Sequence, residues 1–109
     1  MLNQNMDMSS LLKQAQKMQE DMQRSQQAIE SAEIEGSSGG GLVKVKINGK
    51  KKILSLRIDP SVIDPDDSEG LEDLIMAAVN QACEEADKMS GEEISKAAKL
   101  PEGFKIPGF

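Results

Sequence analysis

Between Asp7 and Ala32 the apolar and small residues fall at Met8, Leu11, Ala15, Met18, Met22, Ser25, Ile29 and Ala32, with spacings alternating between three and four. The segment contains neither Gly nor Pro and is rich in Gln, Lys, Met, Glu and Ala, all good helix formers. The pattern predicts a helical arm over residues 7–32, with Asp7 or Ser9 as its cap. Its apolar seam has a heptad repeat and is narrower than the stripe of an ordinary globular helix. A helix of this length extends nearly 40 Å at ~1.5 Å per residue. The short remainder of the chain cannot cover it, so the seam is expected to meet a partner helix or to lie on a projecting arm. Leu11, Ala15, Met18, Met22 and Ile29 are the candidate dimerisation residues.

The period then changes. Glu33-Ile34-Glu35 has the makings of a short strand, and Gly36-Ser-Ser-Gly-Gly-Gly41 reads as a flexible linker over residues 36–41. Val43, Val45 and Ile47 alternate with Lys44 and Lys46, the two-residue period of a strand. Asn48-Gly49 is a hairpin signal, and Leu54, Leu56 and Ile58 form the apolar set of the returning strand. A two-residue turn pairs Ile47 with Lys50 and sets Val43 opposite Leu54. In that register both apolar sets share one face, and a four-residue loop preserves the parity. The hairpin is expected over residues 42–58.

Asp59-Pro60 closes the strand, and the acids from Asp64 to Glu69 introduce a second helix by favouring its positive N-terminal end. Leu71, Leu74, Ile75, Ala78, Val79, Ala82 and Ala86 recur at helical spacing. They predict a helix over about residues 67–89 that covers the apolar side of the hairpin, with Gly91 interrupting it. Prolines make the tail, residues 100–109, extended.

Charge changes the picture more than composition does. The formal net charge of the 109 residues is −6, yet residues 36–58 hold Lys44, Lys46, Lys50, Lys51, Lys52 and Arg57 and no acid. Screening acts over roughly 8–10 Å, so a polyanion meets this basic segment rather than the average charge. Phosphate contacts are one reading. A solvated sheet face whose lysines blunt an exposed edge is the other. Lys13, Lys17 and Arg24 are the bases of the first helix, diluted by Glu20, Asp21 and Glu30.

Other chemistry is poorly supplied. The chain has no histidine and one cysteine, so the commonest general base and metal ligand is missing, and no internal disulfide can form. Cys83, beside the apolar helix face, reads as a small hydrophobe. Gly39–Gly41 precedes a strand and lacks a Gly-Lys-Ser/Thr ending, so it is no phosphate loop. A calcium loop started at Asp64 puts Glu69 where glycine is required. The start lacks a basic, apolar leader and no run is long enough to span a membrane. A cytoplasmic protein without catalytic site, cofactor or metal is expected. With only two aromatic residues, Phe104 and Phe109, stacking on single strands is disfavoured.

The string Leu-Leu-Lys-Gln-Ala-Gln-Lys-Met-Gln, then Gly-Gly-Gly-Leu-Val-Lys-Val-Lys-Ile-Asn-Gly, Ile-Asp-Pro, Leu-Glu-Asp-Leu-Ile and the closing Leu-Pro-Glu-Gly-Phe-Lys-Ile-Pro-Gly-Phe resembles the YbaB/EbfC nucleoid-associated family over essentially the whole chain. The resemblance implies an α+β fold: a long N-terminal helix, a small antiparallel three-stranded sheet and a C-terminal helix (α-β-β-β-α), assembled as a tweezer-like homodimer. It implies double-stranded DNA as partner, a change in DNA conformation, a role in nucleoid organisation and gene regulation, and no cofactor. In that family the helical arms are implicated in DNA contact, which adds Lys13, Lys17 and Arg24 to the hairpin bases as candidates. The alternative is a coiled-coil-type dimer whose arms clasp a protein partner.

Overall fold

A computed structural model describes residues 8–98 of the chain. Helix α1 spans Met8–Ser31, strands β1, β2 and β3 span Ile34–Ser38, Val43–Ile47 and Ile53–Ile58, and helix α2 spans Ser68–Ala97. The strands form one antiparallel sheet in the order β1-β2-β3. The α-β-β-β-α order expected of the chain is the one observed. Asp7 as a cap and the extended tail at 100–109 lie outside the described residues.

The core is thin because its facing surfaces are small. Val43, Val45 and Ile47 of β2 are at most 1% exposed and meet an alanine stripe on α2, Ala78, Ala82 and Ala86. Alanines at this spacing recur on one side of the helix and let its backbone come down onto the sheet. Gly36 of β1 completes the fit: a Cβ there would lie 2.7 Å from the Ala82 amide nitrogen and 2.8 Å from its Cβ, and would run into the Ala78 carbonyl oxygen as well. Each large aliphatic side chain buried here contributes roughly 1.5–3 kcal/mol. Cys83 is half-buried against this cluster.

The Gly-rich segment is not the flexible linker expected. Gly36, Ser37 and Ser38 are strand residues paired with Val45, Lys44 and Val43. The Ser37 amide donates to the Gln81 side chain at 2.7 Å, and the Ser38 hydroxyl donates to the Leu74 carbonyl. Tertiary hydrogen bonds and the need for a side-chain-free position under α2 turn a loop-like composition into an edge strand. Gly39–Gly41 and Leu42 make the connection, with φ positive at all three glycines, a conformation that suits glycine.

The hairpin also departs from expectation. Val43 pairs with Ile58, Lys44 with Arg57, Val45 with Leu56 and Lys46 with Ser55, and a register shift before Ile47 pairs it with Ile53. Val43 therefore does not face Leu54. The turn is not the two-residue type, because the Asn48 side chain accepts from the Lys50 and Lys52 amides at 2.9 and 3.0 Å. The left-handed residue is Lys51, φ 68°. Gly49 is held elsewhere: its amide donates to the Ile29 carbonyl at 2.8 Å, and its carbonyl accepts from the Ser90 hydroxyl at 3.0 Å. The loop thus ties the end of α1 to α2.

Helix α2 runs through Gly91 instead of stopping there. Ser90, Ile94 and Ala97 are buried, and the Ser25 hydroxyl of α1 donates to the Glu93 carbonyl at 3.0 Å. Packing against α1 outweighs the ~1 kcal/mol cost of a mid-helix glycine. At the other end Asp67 caps the helix, accepting from the Gly70 amide at 3.1 Å, so at least this member of the acid cluster serves local structure.

Candidate nucleic-acid interface

The sheet has two unlike faces. On the side away from α2, the cross-strand pairs Ser37–Lys44–Arg57 and Glu35–Lys46–Ser55 make two adjacent rows. Glu35, Lys44, Lys46, Ser55 and Arg57 line a shallow groove there. Alternation along the strands forces this arrangement: burying Val43, Val45 and Ile47 turns Lys44 and Lys46 outward. Arg57 follows by pairing with Lys44.

The bases differ sharply in their company. Lys46 Nζ lies 3.1 Å from Glu33, Lys50 Nζ 3.1 Å from Glu30, and Lys51 Nζ 2.7 Å from Asp87. The hydrogen bond and charge of Asp87 raise the Lys51 ammonium above its ordinary pKa. In α1, Arg24 pairs with Asp21 at 3.2 Å. Lys44, Lys52, Arg57, Lys13 and Lys17 have no ion pair among the described residues. The segment free of acids in sequence is therefore not free of acids in space. Glu30 near the end of α1, Glu33 between α1 and β1, and Asp87 on α2 come from outside the hairpin, and nothing local to the hairpin announces them.

The nine candidate bases are not gathered into one patch. Lys44, Lys46 and Arg57 share the outer sheet face, Lys50, Lys51 and Lys52 occupy the loop beside α1 and α2, and Lys13 and Lys17 stand on the exposed half of α1. Residues 11–20 of α1 are all exposed, whereas Ser25 and Ile29 are buried against α2 and the loop. Ile29, expected at a dimer interface, is spent inside the protomer, and Met22 is half-buried. Leu11, Ala15 and Met18 remain as the exposed part of the seam.

Sequence reasoning missed a second apolar surface. Leu54 and Leu56, read as core, are 47% and 45% exposed, and Ile53 is 55% exposed. Strand β3 is an edge strand; α2 packs mainly on β1 and β2, and only Ile58, at the end of β3, joins the core cluster. The signal was present in the alternating pattern. What was missing was the width of the sheet that one helix can cover.

No group of three or more potential metal ligands exists among the described residues, and no described helix is long and apolar enough to cross a membrane. The model of the YbaB/EbfC DNA-binding family matches residues 4–100. A nucleoid-associated protein of Alkaliphilus metalliredigens is 48% identical over 102 residues, 94% of this chain and 87% of that protein. One from Clostridium novyi is 52% identical over 103 residues, 94% and 88% of the two chains. The crystal structure of the Helicobacter pylori protein HP0035 is similar with a TM-score of 0.65 at 26% identity, over 76% of this chain and 87% of that one.

Proposed function

The chain belongs to the YbaB/EbfC DNA-binding family, and on that premise we propose that it is a nucleoid-associated protein that binds double-stranded DNA as a homodimer. It holds the duplex chiefly through phosphates, alters DNA conformation, and thereby acts on nucleoid organisation and gene expression. The observation that carries the reading is the side-by-side placement of Lys44 and Arg57 on an open sheet face, with no acid partner among the described residues. Cations already matched to carboxylates must exchange one anion for another. Unmatched cations gain the whole phosphate interaction and release the counterions of the DNA. Lys44, Arg57, Lys52, Lys13 and Lys17 are accordingly the principal contacts, and Lys46, Lys50, Lys51 and Arg24 the weaker ones. Two arginines in the whole chain leave little for bidentate base reading, so sequence preference is slight.

The dimer forms through β3. An unpaired edge strand with exposed Ile53, Leu54 and Leu56 invites another strand or apolar face. A second copy of the same edge satisfies both needs by two-fold symmetry. Pairing there doubles the basic faces and leaves the arms projecting, the geometry of a tweezer.

The test is duplex binding over a range of salt with a random-sequence DNA. Log affinity should fall with log salt by about 0.9 per phosphate neutralised. Lys44→Ala with Arg57→Ala should flatten that slope by roughly one unit per lost contact, and Lys13→Ala with Lys17→Ala should do so on the arm. If the intact protein shows no salt-sensitive duplex binding, the reading fails and the arms that clasp a protein partner become the better account.

A further inference from the structure

Asparagine followed by glycine occurs once in the chain, at Asn48-Gly49, and the fold has a use for each residue. Asn48 makes the loop. Its Oδ1 accepts from the Lys50 and Lys52 amides, its own amide donates to the Lys52 carbonyl at 3.0 Å, and its carbonyl accepts from the Lys51 amide at 3.0 Å. Gly49 makes the contact with α1: a Cβ there would lie 2.5 Å from the Ile29 carbonyl oxygen and 2.7 Å from its Cγ2. The fold therefore imposes a pair that is chemically labile. With no side chain on the following residue to hinder it, the Gly49 nitrogen can attack the Asn48 carboxamide carbon and close a five-membered ring. The structure holds both reactants back. Gly49 is buried, its N–H donates to the Ile29 carbonyl at 2.8 Å, and its carbonyl accepts from the Ser90 hydroxyl at 3.0 Å. The Asn48 carboxamide is kept from turning by the two amides that its oxygen holds.

We propose that Asn48 is a deamidation site gated by the docking of α1, closed while Ile29 holds Gly49 and open when the end of the arm lifts. On lifting, the Gly49 N–H loses its acceptor and meets water. Its nitrogen gives up the proton to solvent and bonds to Cγ of Asn48. The bond from Cγ to the side-chain nitrogen breaks, and ammonia leaves after taking a proton back from solvent. Water then adds to one of the two ring carbonyls. Opening at Cγ gives aspartate; opening at the main-chain carbon gives isoaspartate, whose backbone is one carbon longer. An aspartate carboxylate still accepts from the Lys50 and Lys52 amides, so that product keeps the loop. Isoaspartate shifts Gly49 away from Ile29 and Ser90, so that product leaves the arm undocked. On the phosphate-contact reading above, either product also sets a carboxylate beside Lys50, Lys51 and Lys52 and weakens the loop's hold on DNA; the site itself does not depend on that reading.

Full-length protein held in mildly alkaline buffer and sampled by peptide mass mapping reads the conversion as the mass gained when a carboxamide becomes a carboxylate. A guanidinium series up to full unfolding gives the ungated rate, and Asn80, exposed on α2 and followed by Gln81, is the internal reference. The native chain should convert Asn48 at least about tenfold more slowly than the unfolded one. Ser90→Ala removes the hydroxyl that ties α2 to the loop, and Ser25→Ala the one that ties α1 to α2. Together they should raise the rate in the folded protein roughly tenfold. Hydrogen exchange of the Gly49 amide in the same samples measures the opening, and conversion should rise in proportion to it across the denaturant series and both variants. A variant that unfolds then supplies another point at the ungated end. Native conversion as fast as in full denaturant overturns the proposal. So does a rate that stays level while Gly49 exchange rises, or an unfolded chain in which Asn48 converts no faster than Asn80.

Discussion

Strands β2 and β3 carry nearly the same alternation of apolar and polar residues, face the same way, and meet opposite fates. Val43, Val45 and Ile47 are closed off by α2 and by β1 and β3 on either side, whereas Leu54 and Leu56 stand nearly half exposed. The difference lies in coverage. The main contacts of α2 with the sheet are to β1 and β2, and of the third strand only Ile58 is packed against the core cluster. Alternation states which side a residue takes and is silent on whether anything lies over it. In a protein of this size an apolar face left open points to a second molecule.

The contrast is broken most severely at the layer contact itself. Gly36→Val inserts atoms where the α2 backbone already lies, and neither backbone can yield. Loss of the cooperative unfolding transition is expected, checked by circular dichroism against temperature. Next in size, Ile47→Ala should cost about 2–5 kcal/mol in urea titration. Leu56→Lys should leave the stability of the protomer within about 1 kcal/mol, because a half-exposed site holds no cavity to lose. That same substitution should shift light scattering from two chains to one. A Leu56→Lys protein that remains a dimer would refute the assignment of β3 as the interface, and one that unfolds would show β3 to be core after all.

Comparison of the two strands also explains which parts of the structure could be read in advance. Element order, parity of the hairpin and the covering stripe of α2 follow from periodicity, a local property. The strand Gly36–Ser38 does not, because its reason is the approach of Ala78 and Ala82 from across the fold. The register of β3 was hidden by Asn48, whose side chain makes a loop of its own where Asn-Gly ordinarily makes a tight turn. Helix α2 overran Gly91 for lack of any local sign that α1 would pack there. For the candidate interface, the positions of Lys44, Lys46 and Arg57 on one face were legible, but the acids opposing Lys46, Lys50 and Lys51 were not. Long-range pairing decides which cation is already occupied.

That division among the bases gives the smallest and most informative effect. Lys51 is held by Asp87 at 2.7 Å, and phosphate must displace that carboxylate to use it. Asp87→Asn removes the competitor without moving the loop, which Gly49 and Asn48 anchor independently. Duplex affinity should rise a few-fold, and the salt slope should steepen by up to about 0.9 per freed ammonium. Protonation plays no part. The pairing raises the pKa of Lys51, so its contribution is complete below the ordinary lysine value and fades only as pH climbs through the raised one. Near neutrality Lys51 is charged with or without Asp87, and the chain has no histidine to titrate between. The gain should therefore be the same from about pH 6 to pH 8.5. Lys51→Ala in the Asp87→Asn background should abolish it, whereas Lys51→Ala alone should change the slope less than Arg57→Ala does. If Lys51→Ala and Arg57→Ala flatten the slope equally, ion pairing in the free protein does not govern which cations the DNA recruits, and the ranking of the contacts is wrong.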